Sequence, residues 1–324
     1  MDLIILICSI VKTYLIILTV LLSSCTSSSI QNSPEIYKEI VTENNLEILE
    51  LDENKKFLDF LEKDWNKTLD ENPLFASYVG DKRLNDKINP NTIEQFNKEK
   101  QSSIESLNDL QTINVSNLSD DNVLNYKLYE FGVRRNIEIA NFPTYFLRIN
   151  QRGGIQSFYE TGNRLVYTSS QDYYDWYSRL EQFSNNIKTF LEINKVGLNK
   201  GITQPKIITQ GVVLQIDTII NSNIDSNPYM KVFLEADENL ISSSEKTTLI
   251  NRAKELITNK IIPAYVDLNN FLKNEYLPNS RDSIGISDVP GGKEYYEYLS
   301  KFYTTTSLTP DEIHQIGLEE IVRI

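Results

Sequence analysis

Apolar residues return every three or four positions along most of this sequence, and that spacing restricts the fold more than any other feature. The cleanest run is Tyr173, Trp176, Leu180, Phe183, Ile187 and Phe190, closing before Gly197. Residues so spaced line one side of a helix, whereas a strand would alternate. Shorter runs repeat the pattern: Phe57, Leu58, Leu61, Trp65 and Leu69; Ile208, Val212, Ile216 and Ile219; Leu249, Ala253, Leu256 and Ile257. Glycine and proline number only 12 and 10 in 324 residues, too few for a turn-rich all-β fold. The sequence predicts an all-α fold with at most a small β ribbon near residues 144–168. There Thr144–Ile149 and Arg164–Thr168 flank Gly153-Gly154.

Helix starts can be placed from capping chemistry. Asn89-Pro90 reads as a cap with a first-turn proline, leading to Ile93, Phe96, Ile104, Leu107 and Leu110. Ser119-Asp120-Asp121 puts acids where the helix dipole favours them. Gln204-Pro205 opens another helix, and Ser242 with Glu245 forms a capping box, as does Thr309 with Glu312. Pro263 should kink its helix. Trp65, Trp176, Phe183 and Leu256 are the expected core. The final stripe of Ile313, Ile316, Ile321 and Ile324 runs to the last residue without a stop signal, as in a helix cut short.

The first 25 residues read differently. Lys12 precedes the apolar segment Tyr14–Leu22, which at nine residues falls well short of the roughly 20 that span a bilayer. Leu22-Ser23-Ser24-Cys25 comes next, an order similar to the bacterial lipobox, in which the cysteine takes diacylglycerol and becomes the first residue. The competing reading, an uncleaved anchor over residues 3–22, would place Lys12 near the bilayer centre at roughly 2.5–3.5 kcal/mol. The predicted organisation is a signal peptide over 1–24, a lipidated Cys25 with a polar tether over 25–54, and a helical domain over 55–324. Thr26 is not the aspartate of the familiar inner-membrane retention signal, so the expected location is the outer membrane, lipid-anchored and facing the periplasm.

Charge and residue counts exclude several chemistries. A net charge of −13 without a basic stripe argues against nucleic acid as a partner. A catalytic zinc usually takes three protein ligands, mostly histidine. This chain has one histidine, His314, and its two cysteines, Cys8 and Cys25, both lie in the leader region. No metal site, cofactor or catalytic residue is identified within it. His314, in the second turn of the last helix, reads as a half-buried, hydrogen-bonded side chain, with proton transfer as the alternative. Asn150-Gln151-Arg152-Gly153-Gly154 reads as a ligand loop or an ordinary turn. Tyr173–Tyr177 and Tyr295–Tyr298 suit sugar or peptide contacts, or simply core and rim.

Several separated blocks resemble one family in order. Tyr276-Leu-Pro-Asn-Ser-Arg281-Asp-Ser-Ile-Gly285, Gly292–Tyr298 and Thr304–Gly317 are the strongest. Asn72-Pro73, Tyr78-Val-Gly80, Asn150-Gln151, Tyr173, Arg179-Leu180, Gly201 and Gln204-Pro205-Lys206 add to them. From Phe57 to Ile324 the chain resembles the N-terminal half of the domain-of-unknown-function 885 family, widespread among bacterial lipoproteins. Members resemble zinc metallopeptidases through an H-E-x-x-P-G-H-H type motif with a further acidic ligand downstream. That motif is absent from this chain, so no metal ligand transfers to it, and zinc is expected only in the missing C-terminal half. The resemblance implies the non-catalytic half of an envelope-associated, peptidase-like hydrolase with peptide as substrate. The alternative is a stand-alone helical lipoprotein that binds a ligand or partner without catalysis. Asn150, Gln151, Arg152, Arg281 and His314 are the expected cleft or ligand contacts, and Cys25 the membrane attachment.

Overall fold

Helix periodicity survives into three dimensions almost everywhere it occurs. The computed structural model describes the backbone of residues 34–324 and the side chains of residues 49 and 52–324. The leader and Cys25 lie outside the described residues. The chain divides into two units, residues 1–48 and 49–324. Of the first, the described residues are helical, forming the start of α1 (Pro34–Glu71). The segment 34–54, expected to be tether, is therefore helix. Its Glu, Lys and Leu content has high helix propensity, which outweighs the polarity that suggested a linker.

In the second unit α1 continues to Glu71 and is followed by α2 (Pro73–Tyr78), α3 (Ile93–Leu110) and α4 (Asp120–Ile139). Phe57 and Phe60 of α1, Leu110, Ile113, Leu118 and Tyr126 of α4 form a small core. Trp65 is half-buried and Leu58 exposed, so this stripe is narrower than its spacing suggested. Helix α3 begins later than Asn89-Pro90: Thr92 is its cap, Oγ1 accepting from Gln95 N at 3.1 Å. Asn89 Nδ2 is taken instead by Glu71 O, at 2.8 Å.

The larger core is built by α6 (Ser170–Asn199), α7 (Lys206–Asn221) and a long helical run from Ser243 to Tyr276. Between α4 and α6 lies only the short α5 (Tyr159–Arg164) besides 3₁₀ turns, and between α7 and the long run only α8 (Lys231–Leu234) and short turns. Trp176, Leu180, Phe183 and Ile187 of α6 share one core with Val212 and Ile216 of α7, all at 1% exposure or less. The long run comprises α9 (Ser243–Leu256), a π turn (Ile257–Ile261), α10 (Ile262–Phe271) and a second π turn (Leu272–Tyr276). Pro263, which has no N–H to give, is the second residue of α10, in the first turn beyond the first π turn. The Ser242–Glu245 and Thr309–Glu312 capping boxes both form.

No strand occurs among the described residues, where the one bridge joins Pro205 to Arg281. The ribbon expected near 144–168 is absent. Thr144–Leu147 is a 3₁₀ turn after Pro143, and it drives Phe146 against Ile193, Ile202 and the bare Cα of Gly197. A three-residue repeat, not strand alternation, positions that side chain. The chain closes with α11 (Gly292–Thr304) and α12 (Pro310–Arg323). Among the described residues no helix is long and apolar enough to cross a membrane.

Candidate functional site

Two joints bring together several of the sequence blocks that carry the family resemblance. At the first, Arg179 projects from α6 into the loop after α2 and is fully buried. Its Nη2 donates to Pro73 O (3.1 Å), Leu84 O (3.3 Å) and Ser77 Oγ (2.7 Å), and its Nε to Lys87 O (2.9 Å). Burial pulls the guanidinium pKa below its ordinary value, with the Asp175 carboxylate opposing. Next to it the buried Asp172 accepts from Lys82 Nζ (2.7 Å), Asn85 Nδ2 (3.2 Å) and the Thr168 and Ser169 amides. Burial favours its neutral form, but these donors prevail and hold its pKa below the usual carboxylate value. Both residues fasten loop to helix.

The second joint pairs Gln204-Pro205-Lys206 with Tyr276–Gly285. Arg281 Nε donates to Thr203 O (2.9 Å) and Nη1 to Ser283 O (2.7 Å) and Gly285 O (2.5 Å), while Arg281 O accepts from Lys206 N. Tyr276 Oη accepts from Gln204 N at 2.8 Å, and burial pushes its pKa up to about 12. Arg281, expected to face a ligand, spends its guanidinium on backbone carbonyls.

The Asn150–Gly154 segment is stitched in a similar way. Gln215 Nε2 donates to Gln151 O (2.9 Å), and Gln156 Nε2 to Asn150 O (2.9 Å) and Gln215 Oε1 (2.7 Å). Gln151 lies over Gly211, where a Cβ would come within 2.6 Å of Oε1. Asn150 Oδ1 accepts from Arg152 N (2.9 Å), and Asn150, Gln151 and Arg152 all remain exposed. His314 is exposed on α12 rather than half-buried, because α12 buries none of its residues. No hydrogen bond or ion pair joins it to Arg281 or to the Asn150 segment.

A different place does show site-like features. A cavity of about 390 Å³ opens between α4 and α11, lined by Phe131, Arg135, Glu138, Glu294, Glu297, Tyr298, Lys301 and Phe302 with Thr305 and Thr306. The Arg135 guanidinium lies over two rings, 3.4 Å from the centroid of Phe302 and 5.0 Å from that of Phe131. Its Nε is buried and has no partner. Tyr298 Oη donates to Arg135 O at 3.1 Å, tying α11 to α4. Thr305, on the rim, is the one non-glycine with positive φ (55°) among the described residues, a strained conformation for a β-branched side chain. The sequence marks Tyr295–Tyr298 but not Arg135, because the partners lie on helices far apart in the chain.

Among the described residues no three His, Cys, Asp or Glu side chains are placed to hold a metal ion. The described residues do not fit a zinc centre.

Comparison with known proteins gives this framework a family. No curated protein matches the chain. A solved structure described as "the putative lipoprotein from Colwellia psychrerythraea" superposes with a TM-score of 0.67 at 19% identity, over 86% of this chain and 49% of that one. The chain thus spans about half the length of that relative, and the likeness concerns the fold. Residues 73–324 match the family described as "Bacterial protein of unknown function (DUF885)". The two joints, built from Asn72-Pro73, Arg179, Gln204-Pro205 and Arg281, lie almost wholly inside that stretch, and the chain belongs to the DUF885 family.

Proposed function

We propose that this chain is the helical, non-catalytic half of an envelope-associated hydrolase of the zinc-peptidase kind, tethered through lipid on Cys25. The observation that carries the reading is the apolar surface of α12. Ile316, Leu318, Ile321, Val322 and Ile324 are between 45% and 95% exposed, apolar exposure of the sort that marks an interface. Its natural cover in this reading is the remainder of the fold that the twice-longer relative possesses, where a metal-binding motif would reside. The helices of the present chain would then form one wall of a cleft and exclude water from it. The description of the relative as a lipoprotein agrees with the Leu22-Ser-Ser-Cys25 pattern.

A second reading, a lipoprotein that binds a ligand without chemistry, is favoured by the α4–α11 cavity. The test uses the full chain in detergent, assayed for bound metal and for peptide hydrolysis with and without added zinc. Neither stoichiometric zinc nor chelator-sensitive turnover is expected from this chain alone, and either would overturn the non-catalytic assignment. In cells, Cys25→Ser should abolish incorporation of labelled fatty acid. Retained labelling would remove the anchor from the proposal.

A further inference from the structure

The cavity between α4 and α11 brings together charges that are left without ionic partners. Among the described residues Arg135 and Lys301 form no ion pair, and neither do Glu138, Glu294 or Glu297. Glu297 and Lys301 stand four residues apart and Arg135 and Glu138 three apart, spacings that allow pairing. Arg135 is the most constrained of the five. Its guanidinium carbon lies over the Phe302 ring at 3.4 Å and over the Phe131 ring at 5.0 Å. A guanidinium so held can bond only in its own plane, through N–H edges that match a carboxylate. Its Nε is buried and has no hydrogen-bond partner, a costly state.

We propose that this cavity binds a short zwitterionic peptide, its carboxylate against the in-plane edge of Arg135 and its ammonium among Glu138, Glu294 and Glu297. The volume of about 390 Å³ lies at the small end of ligand sites, roughly 300–1,000 Å³, which suits a few residues and not a folded partner. Three carboxylates would repel a phosphate group, and the Phe302 face that a sugar would stack on is already taken by Arg135. The inference deepens the peptidase reading and rests on it only for choosing peptide among zwitterions.

The probe is trialanine, titrated calorimetrically into the full chain in detergent with a metal chelator present, beside N-acetyl-trialanine and trialanine amide. Free trialanine should bind saturably, and blocking either end should weaken it by about tenfold or more, the scale of one lost charge-assisted bond. Arg135→Gln should bring trialanine down to the level of its amide while leaving the penalty for N-acetylation. Glu294→Gln with Glu297→Gln, at exposed positions that folding tolerates, should shrink the N-acetyl penalty instead. No saturable binding of trialanine, or equal binding of free and blocked peptides, would overturn the proposal. Because chelator is present throughout, failure of the hydrolase reading would leave these titrations unchanged, and failed titrations would leave it standing.

Discussion

In α6 the side chains of Trp176, Leu180, Phe183 and Ile187 are at most 1% exposed, whereas in α12 Ile321 and Val322 stand 73% and 87% in solvent. Both helices carry apolar residues at helical spacing, and both begin with a capping box. Local sequence signals are therefore equivalent in the two, and only one of them has neighbours. α6 is packed against α9, the first π turn and α10, while α12 has no buried residue. Amphipathicity says that a helix has a face to bury; it does not say what buries it. In α6 the chain supplies the cover itself, and in α12 it presents the face outward.

That contrast can be broken most directly in the core. Phe183→Ala should cost about 3–5 kcal/mol of unfolding free energy, the range for a buried aromatic truncated in a packed interior. Ile321→Ala should stay within about 0.5 kcal/mol, as exposed substitutions do. Urea denaturation of the full chain in detergent measures both. Similar losses at the two sites would mean that α12 is packed in solution.

Arg179→Met sharpens the comparison at the level of polar groups. Methionine preserves much of the volume but strands the carbonyls of Pro73, Leu84 and Lys87, so a loss of about 3 kcal/mol is expected. Denaturation at neutral pH reads the loss. A near-neutral variant would show that water replaces the guanidinium and that the joint is not sealed.

The smallest effect belongs to Asp172. Its folded pKa is depressed, so its stabilising contribution is present above the ordinary carboxylate value and lost as pH falls through the folded one. The stability gap between the wild-type chain and Asp172→Asn should be constant near neutrality and close progressively below about pH 4. A gap that is flat down to the acid limit would mean that Asp172 keeps its pKa in the unfolded chain.

Legibility in the sequence divides along the same line. The α6 stripe and the Ser242–Glu245 and Thr309–Glu312 capping boxes depend on residues within a turn or two of one another, and all appear as read. The ribbon expected near 144–168 failed because β-branched and aromatic residues at Thr144–Ile149 suit a strand and a 3₁₀ turn alike until Phe146 finds Gly197. The Asn89-Pro90 start failed because Asn89 is claimed by Glu71 O, a partner 18 positions away. Polar side chains next to glycine mark Arg281 and the Asn150 segment in the sequence, but not what they bond to within the fold. Their partners, Thr203 and Gln215, are set by tertiary packing alone. The α4–α11 cavity was least legible, since Arg135 and Phe302 meet only after the helices between them have folded.

The two π turns also have a meaning in counting. From Leu249 to Tyr276 the buried side chains Ala253, Ile257, Ile261, Tyr265, Leu268 and Leu272 step through seven turns on one side of the helix. A regular α-helix would finish seven turns in about 25 residues, and this one takes two more, one for each widened turn. The core thus sees an unbroken face while the chain is longer than that face requires. Such turns let a helix absorb single-residue changes in length without rotating the residues beyond them. Without that slack, Tyr276 would arrive about 100° out of phase for each surplus residue, and its hydroxyl would miss Gln204 at the joint that holds Arg281.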